Sequence, residues 1–322
     1  MKLKALLAAI TLAALPVAAQ AGEVVDLKYK MAREYVRQEN LNITVKVNSS
    51  DYDARTDSFK KPLKPEMGSA FRQDAMLVVG EGVGKKGTTG GQYRLTALRA
   101  AEVVAQRALA EMLKGVVIVG DTVVKDAELE SDLIRSSINT FVKGFQPVLK
   151  EFNEREGTAL VILKVGVSGP QGFGALMYDK ILNEPKVKQQ LDRPAYTPPA
   201  ELPPPPVVAQ PYDGLIIDAT AYNFRPALIN RIFNPKGEVL YDPAKISQKV
   251  LVEQGCGEYT NSVDKARAAL AKRGVKNPLV VKAAGTVSPS DLQVGNEVAL
   301  QIFSANQASG FMADARVAFV LK

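Results

Sequence analysis

The 322-residue chain has no histidine, no tryptophan and a single cysteine, Cys256. Without histidine it lacks the commonest general base, the usual relay of a Ser-His-Asp triad and the commonest zinc ligand. With one cysteine it cannot close an internal disulfide in any compartment. Cys256 lies between Gly255 and Gly257, which reads as a small, half-buried residue in a turn. A reactive thiol, or pairing with another chain, is the functional alternative. No basic run is interleaved with aromatics, so nucleic acid is not an expected partner. Past residue 21 no segment reaches the ~20 uncharged apolar residues of a spanning helix, so no integral membrane segment is expected after that point.

The first 21 residues read as a secretory signal peptide. Lys2 and Lys4 give a positive start, Ala5 to Ala19 an apolar stretch, and Ala19-Gln20-Ala21 a cleavage site that leaves Gly22 first. No cysteine follows the site to carry a lipid. The expected location is periplasmic, with outer-membrane association or an extracellular destination as alternatives. ATP and nicotinamide cofactors are scarce there, and no cofactor is expected. The chain carries 41 Lys and Arg against 34 Asp and Glu, a mild excess spread along its length that weakly favours anionic surfaces.

Seven prolines between Thr197 and Pro211 form the clearest boundary and read as a semi-rigid spacer. The expected organisation is an N-terminal extension at 22–69, an α+β domain at 70–170, a helix and proline-rich linker at 171–211, and a second α+β domain at 212–322. Within the extension, alternation from Leu41 to Val47 predicts a strand. The first domain is expected to place two helices on one sheet. Its predicted strands are Ala75–Val79, Val116–Val124 and Ala159–Val167. A helix over 93–114 gathers Leu98, Ala101, Ala105, Ala108, Leu109 and Met112 on one face, and a second is marked by Leu129, Leu133, Ser137, Phe141 and Phe145. A helical segment over 174–191, interrupted at Pro185, leads to the linker. The second domain is expected to have one helix and more sheet. Its strands are predicted at 214–222, 279–283, 297–303 and 315–321, with a hairpin turning at Asn234-Pro235-Lys236-Gly237. Ser262 is a predicted N-cap, with Asp264 in the first turn and Lys272, Arg273 and Gly274 closing the helix.

Gly82-Val83-Gly84-Lys85-Lys86-Gly87 fits G-x-G-x-x-G, but Thr88, Thr89, Gly90 and Gly91 intervene before any helical pattern. A pyrophosphate site needs the helix to start within the glycines, so a loop is the better reading. Two carboxylates suffice to hydrolyse a glycan, which brings in Asp213 and Asp218, or Glu128, Glu130 and Asp132. The first two fall on opposite faces of an ideal strand. The triplet opens a predicted helix, where negative charge is stabilising in any case. Ser288-Pro289-Ser290 has no lysine at helical spacing to activate a serine. No catalytic, cofactor-binding or metal-ligating residue is assigned.

The run Ala97-Leu98-Arg99-Ala100-Ala101-Glu102, then Arg107 to Glu111, Gly115-Val116, Asp126 and Ser131-Asp132, follows a Gly80-Glu81-Gly82 loop. It resembles the Lpp-twenty lipoprotein family and its relative, the amino-terminal domain of flagellar assembly protein T. Tyr212 to Ala219, Phe224 to Leu228 and Asn277 to Ala283 are similar to the companion domain that often follows. The resemblance implies an exported, non-enzymatic envelope protein that binds or assembles with other components. An envelope protein, the cell wall or the flagellar basal body would be its partner. It brings no catalytic residues. A glycan-acting hydrolase using paired carboxylates is the alternative. The chain differs from the lipoproteins in lacking a lipidated cysteine and shows no match to the middle domain of the flagellar protein.

Overall fold

The computed structural model describes residues 28–199 and 211–322; residues 1–27, on which the expected signal peptide falls, and residues 200–210 of the proline-rich stretch lie outside them. The first half runs α1 (Lys30–Glu39), β1 (Val45–Asn48), a small ribbon β2 (Tyr52–Asp53) and β3 (Ser58–Phe59), α2 (Met67–Arg72), β4 (Ala75–Val83) and α3 (Gly90–Lys114). It continues with β5 (Val117–Val119), β6 (Thr122–Val123), α4 (Val124–Glu130), α5 (Asp132–Gly144), β7 (Leu149–Asn153) and β8 (Thr158–Gly166). The sheet order is β1-β4-β8-β7, with β1 parallel to β4 and the rest antiparallel.

Both faces of this sheet are covered, as the alternation along β4 requires. Met76 and Val78 face α3, while Leu77 and Val79 face α1 together with Leu160 and Ile162. The segment 22–69 therefore supplies a strand and the cover for one sheet face. Helix α1 was not foreseen, because only Ala32 is fully buried in a strongly polar ten-residue stretch. On the other face Ala97, Ala101, Ala105 and Ala108 are all fully buried. Any Cβ at Gly80 would overlap the Ala101 carbonyl and lie 2.9 Å from the Ala105 Cβ, and one at Gly82 would overlap the Ala97 and Ala101 backbone. The two glycines and the alanine stripe let helix and strand meet backbone to backbone; Gly80-Glu81-Gly82, expected as a loop, instead continues the strand predicted to stop at Val79, because glycine is what this close approach requires.

The second predicted helix is divided at Ser131, which leaves α4 in an extended conformation (φ −139°, ψ 110°) and caps α5 by accepting from the Ile134 amide. The division resets the helical phase. Ile134, Ile138 and Val142 are buried, whereas Leu129 and Leu133, expected in the core, are 68% and 64% exposed.

After α6 (Phe173–Ile181) and α7 (Pro185–Leu191), with Pro185 in the first turn of α7, the second half contains β9 (Gly214–Asp218), β10 (Arg231–Phe233), β11 (Val239–Tyr241), α8 (Gln248–Gln254), β12 (Glu258–Thr260) and α9 (Val263–Lys272). It ends with β13 (Pro278–Lys282), β14 (Gly285–Ser288), β15 (Asp291–Gln293), α10 (Asn296–Ser309) and β16 (Val317–Val320). One sheet is parallel, β12-β16-β9-β13; the other is mixed, β11-β10-β15-β14. Ser262 caps α9 as expected, accepting from Lys265. The Asn234 turn joins β10 to β11, its side chain accepting from the Lys236 and Glu238 amides. The strand expected at 297–303 is instead α10, since Ala299, Ile302 and Ala305 are buried at helical spacing. Three helices, not one, occupy this half. The whole is a mixed α+β fold with a second domain starting near residue 214.

The halves share one apolar core. The Leu228 and Ile229 amides donate to the Val117 and Ile118 carbonyls at 3.0 and 2.9 Å, extending β5 across the seam. Phe71 packs edge-on against Tyr259. The chain is also joined to the second half before the prolines: Tyr196 donates to Val239, whose own amide donates to Pro194.

Candidate functional site

A cleft of about 240 Å³ opens on the seam between the halves. The first half contributes Asp74, Ser168 and Tyr178. Asp74 holds a left-handed backbone (φ 51°) just before β4, and its carboxylate accepts from the Ser168 amide and hydroxyl at 2.9 and 2.6 Å. Tyr178 reaches across from α6 and donates to the Leu228 carbonyl at 3.2 Å.

The second half contributes the Gly255-Cys256-Gly257 turn between α8 and β12. A side chain at Gly257 would sit 2.7 Å from the Val317 carbonyl, so this turn presses its backbone against the parallel sheet. Cys256 is 2% exposed and its Sγ lies 3.0 Å from the Tyr259 hydroxyl, which also contacts Asn230 Oδ1 and the Ala227 carbonyl. Tyr241 donates to the Cys256 carbonyl at 2.6 Å. Burial pushes the thiol up from its ordinary range, and raises Tyr178, Tyr241 and Tyr259 well above theirs. The thiol is therefore neutral, buried and a poor nucleophile. The turn was foreseen; the expected half-burial is overturned, since Cys256 is almost fully buried, and that burial weighs against the reactive-thiol alternative.

Arg273 closes the cleft floor. Its Nε donates to Glu258, and its two terminal nitrogens donate to the Ala315 and Gln254 carbonyls, all within 2.9 Å. The same saturation holds elsewhere in the second half, where Arg231 and Asp291 form a buried ion pair and Ser290 donates to the Gly120 carbonyl. Of these contacts Ser290 to Gly120 crosses between the halves, while Arg273 and the Arg231–Asp291 pair tie elements of the second half to one another.

The predicted carboxylates are scattered. Asp213 accepts from the Lys276 and Asn277 amides just before β9, while Asp218 at the end of β9 accepts from the Thr220 amide and hydroxyl. Glu128 and Glu130 end α4 rather than opening a helix; Glu130 pairs with Lys186, and Asp132 alone starts α5, pairing with Arg135. Ser288 donates to Asp291. Among the described residues no group of His, Cys, Asp and Glu is placed to hold a metal ion, and no helix is long and apolar enough to cross a membrane.

Exposed apolar side chains are unevenly distributed. Met31, Val83, Leu95, Leu129, Leu133 and Val148 belong to the first half, against Val280 and Val287 in the second.

These features define a two-part α+β protein whose seam is lined by polar groups already engaged in internal hydrogen bonds, with Tyr178 and Ser290 bonding across it. Residues 214–322 match the family described as Treponema pallidum Tp0624, second domain, so that about a third of the chain is similar to that domain. No curated protein matches the chain.

Proposed function

We propose that the chain is an exported, non-enzymatic cell-envelope protein that acts as a binding or assembly factor, with a flagellar ring, an outer-membrane protein or the cell wall as its partner. The observation that carries this reading is that six of the eight large apolar side chains exposed among the described residues, Leu95 at 68% and Val83 at 51% among them, belong to the first half. The signal-like residues 1–21 support export. The resemblance of the 70–170 segment to envelope modules supports the partner class. The engagement of Asp213 and Asp218 by local amides favours binding over hydrolysis.

The test is a photo-crosslinking residue placed at Leu95 in living cells, with Val287 as the comparison. Adducts to one envelope component from Leu95 and none from Val287 are expected. Equal labelling at both positions, or none at either, overturns the reading. Cell fractionation should recover a chain beginning at Gly22 from the periplasm without detergent.

A further inference from the structure

One flank of the exposed surface of α5 presents Leu133, Ser136, Ser137, Thr140 and Gly144 at helical spacing, away from the buried Ile134, Ile138 and Val142 and bordered by the exposed Asp132, Asn139 and Lys143. None of the outward five is charged. Ser136, Ser137, Thr140 and Phe141 line an open groove of about 390 Å³, closed on one side by Leu176 of α6. A Cβ at Gly144 would meet nothing within 4 Å. Bulk therefore falls along the helix, from an exposed leucine in its first turn to the groove beside its middle turns and the uncovered Gly144 in its last.

Such a gradient is complementary to itself in one orientation. If a second α5 lies antiparallel across a two-fold axis between Ser136 and Ser137, Leu133 of each copy meets Thr140 of the other. A parallel arrangement would set leucine on leucine and hollow on hollow. Charge agrees with the antiparallel choice. Asp132 and Lys143 lie on the same edge of the stripe at opposite ends of the helix, so a two-fold brings each beside its opposite on the other copy. Asp132 is 94% exposed while it holds Arg135, and so remains open to a second cation.

We propose that a second copy of this chain docks here, α5 against α5, antiparallel about a two-fold axis. One helix pair is a small contact, so the dimer belongs among weak, concentration-dependent assemblies.

Sedimentation of the full mature chain over a concentration series should show a monomer–dimer equilibrium. Leu133→Glu should remove it while leaving the circular dichroism and melting temperature unchanged, because that side chain is already in solvent. Asp132→Lys and Lys143→Asp should each weaken the dimer about tenfold, and the double exchange should restore it. Under mild oxidation Ser137→Cys, close to the axis, should crosslink to its copy far faster than Thr140→Cys. A chain monomeric at every concentration overturns the proposal, as does a dimer that survives Leu133→Glu. Equal crosslinking at 137 and 140 would mean a parallel pair and would overturn it too. So would a monomer that loses a different protein partner on Leu133→Glu.

Discussion

Arg231 and Asp291 lie directly opposite each other on adjacent parallel strands, and their side chains close a two-point ion pair. Nε meets Oδ1 at 3.0 Å and Nη2 meets Oδ2 at 2.7 Å, with side chains 4% and 3% exposed. The remaining guanidinium nitrogen donates to the Gln190 carbonyl at the end of α7, and the Phe233 ring lies 4.9 Å beneath. One cation thus joins β10, β15 and the bridging helix.

Removing half of this pair strands a charge in a dry place. Asp291→Ala should cost about 3–5 kcal/mol, while the double exchange Arg231→Met with Asp291→Leu should recover most of it. Urea unfolding of the full chain measures both. An Asp291→Ala protein as stable as the parent would refute the pairing.

The contact between α3 and β4 makes a second test. Ala105 faces Gly80, where no space remains for a larger group. Ala105→Leu should destabilise by roughly 1–3 kcal/mol. Leu95→Ser on the exposed side of the same helix should stay within about half a kcal/mol. Thermal melts that rank the two in the opposite order would show the helix face to be misplaced.

A specific protease site introduced between Ala200 and Ala209 tests how the halves are held. Because Tyr196 already pairs with Val239, and β5 is extended by Leu228 and Ile229, both fragments should elute as one species after cleavage. Two separate peaks under native conditions would mean that the linker alone tethers them.

Glu128 gives the pH test. Burial raises its carboxyl, opposed by Lys114 and Arg135 and reinforced by Glu111. A carboxyl that is harder to ionise in the fold than in the unfolded chain contributes stability at low pH. That contribution is lost as pH rises from the ordinary carboxylate range through the raised value. Glu128→Gln should therefore be more stable than the parent at pH 7, with the gap closing as pH falls below ~4. A gap that widens on acidification would show that its cationic neighbours outweigh burial.

Much of the fold was legible where a local rule had no competitor. The alanine face of α3, the Ser262 cap and the Asn234 turn all follow from residues within a few positions of each other. Two of the misread elements are places where two periodicities coexist; the strand predicted at Val116–Val124 instead folds at Gly120 into the β5–β6 hairpin and enters α4 at Val124. Val298, Leu300 and Ile302 alternate like a strand, yet Ala299, Ile302 and Ala305 bury a helix, and only the surrounding core decides between them. Leu129 and Leu133 continue a helical stripe on paper, but Ser131 leaves the helix and turns them outward. The cleft was beyond any local reading. Asp74, Tyr178 and Cys256 meet only because the two halves dock, and nothing near any of them in the chain announces the others.

The strand pairing across the seam bears on where this protein can be cut. The similarity to a known domain starts at residue 214, but the edge completed by Val117 and Ile118 lies far upstream. A fragment trimmed to that boundary would carry Leu228 and Ile229 with unpaired amides beside uncovered apolar surface, which invites edge-to-edge association. For this chain the unit that recurs in sequence is smaller than the unit whose strand edges are satisfied, and expression trials of the downstream piece should include its upstream edge in trans.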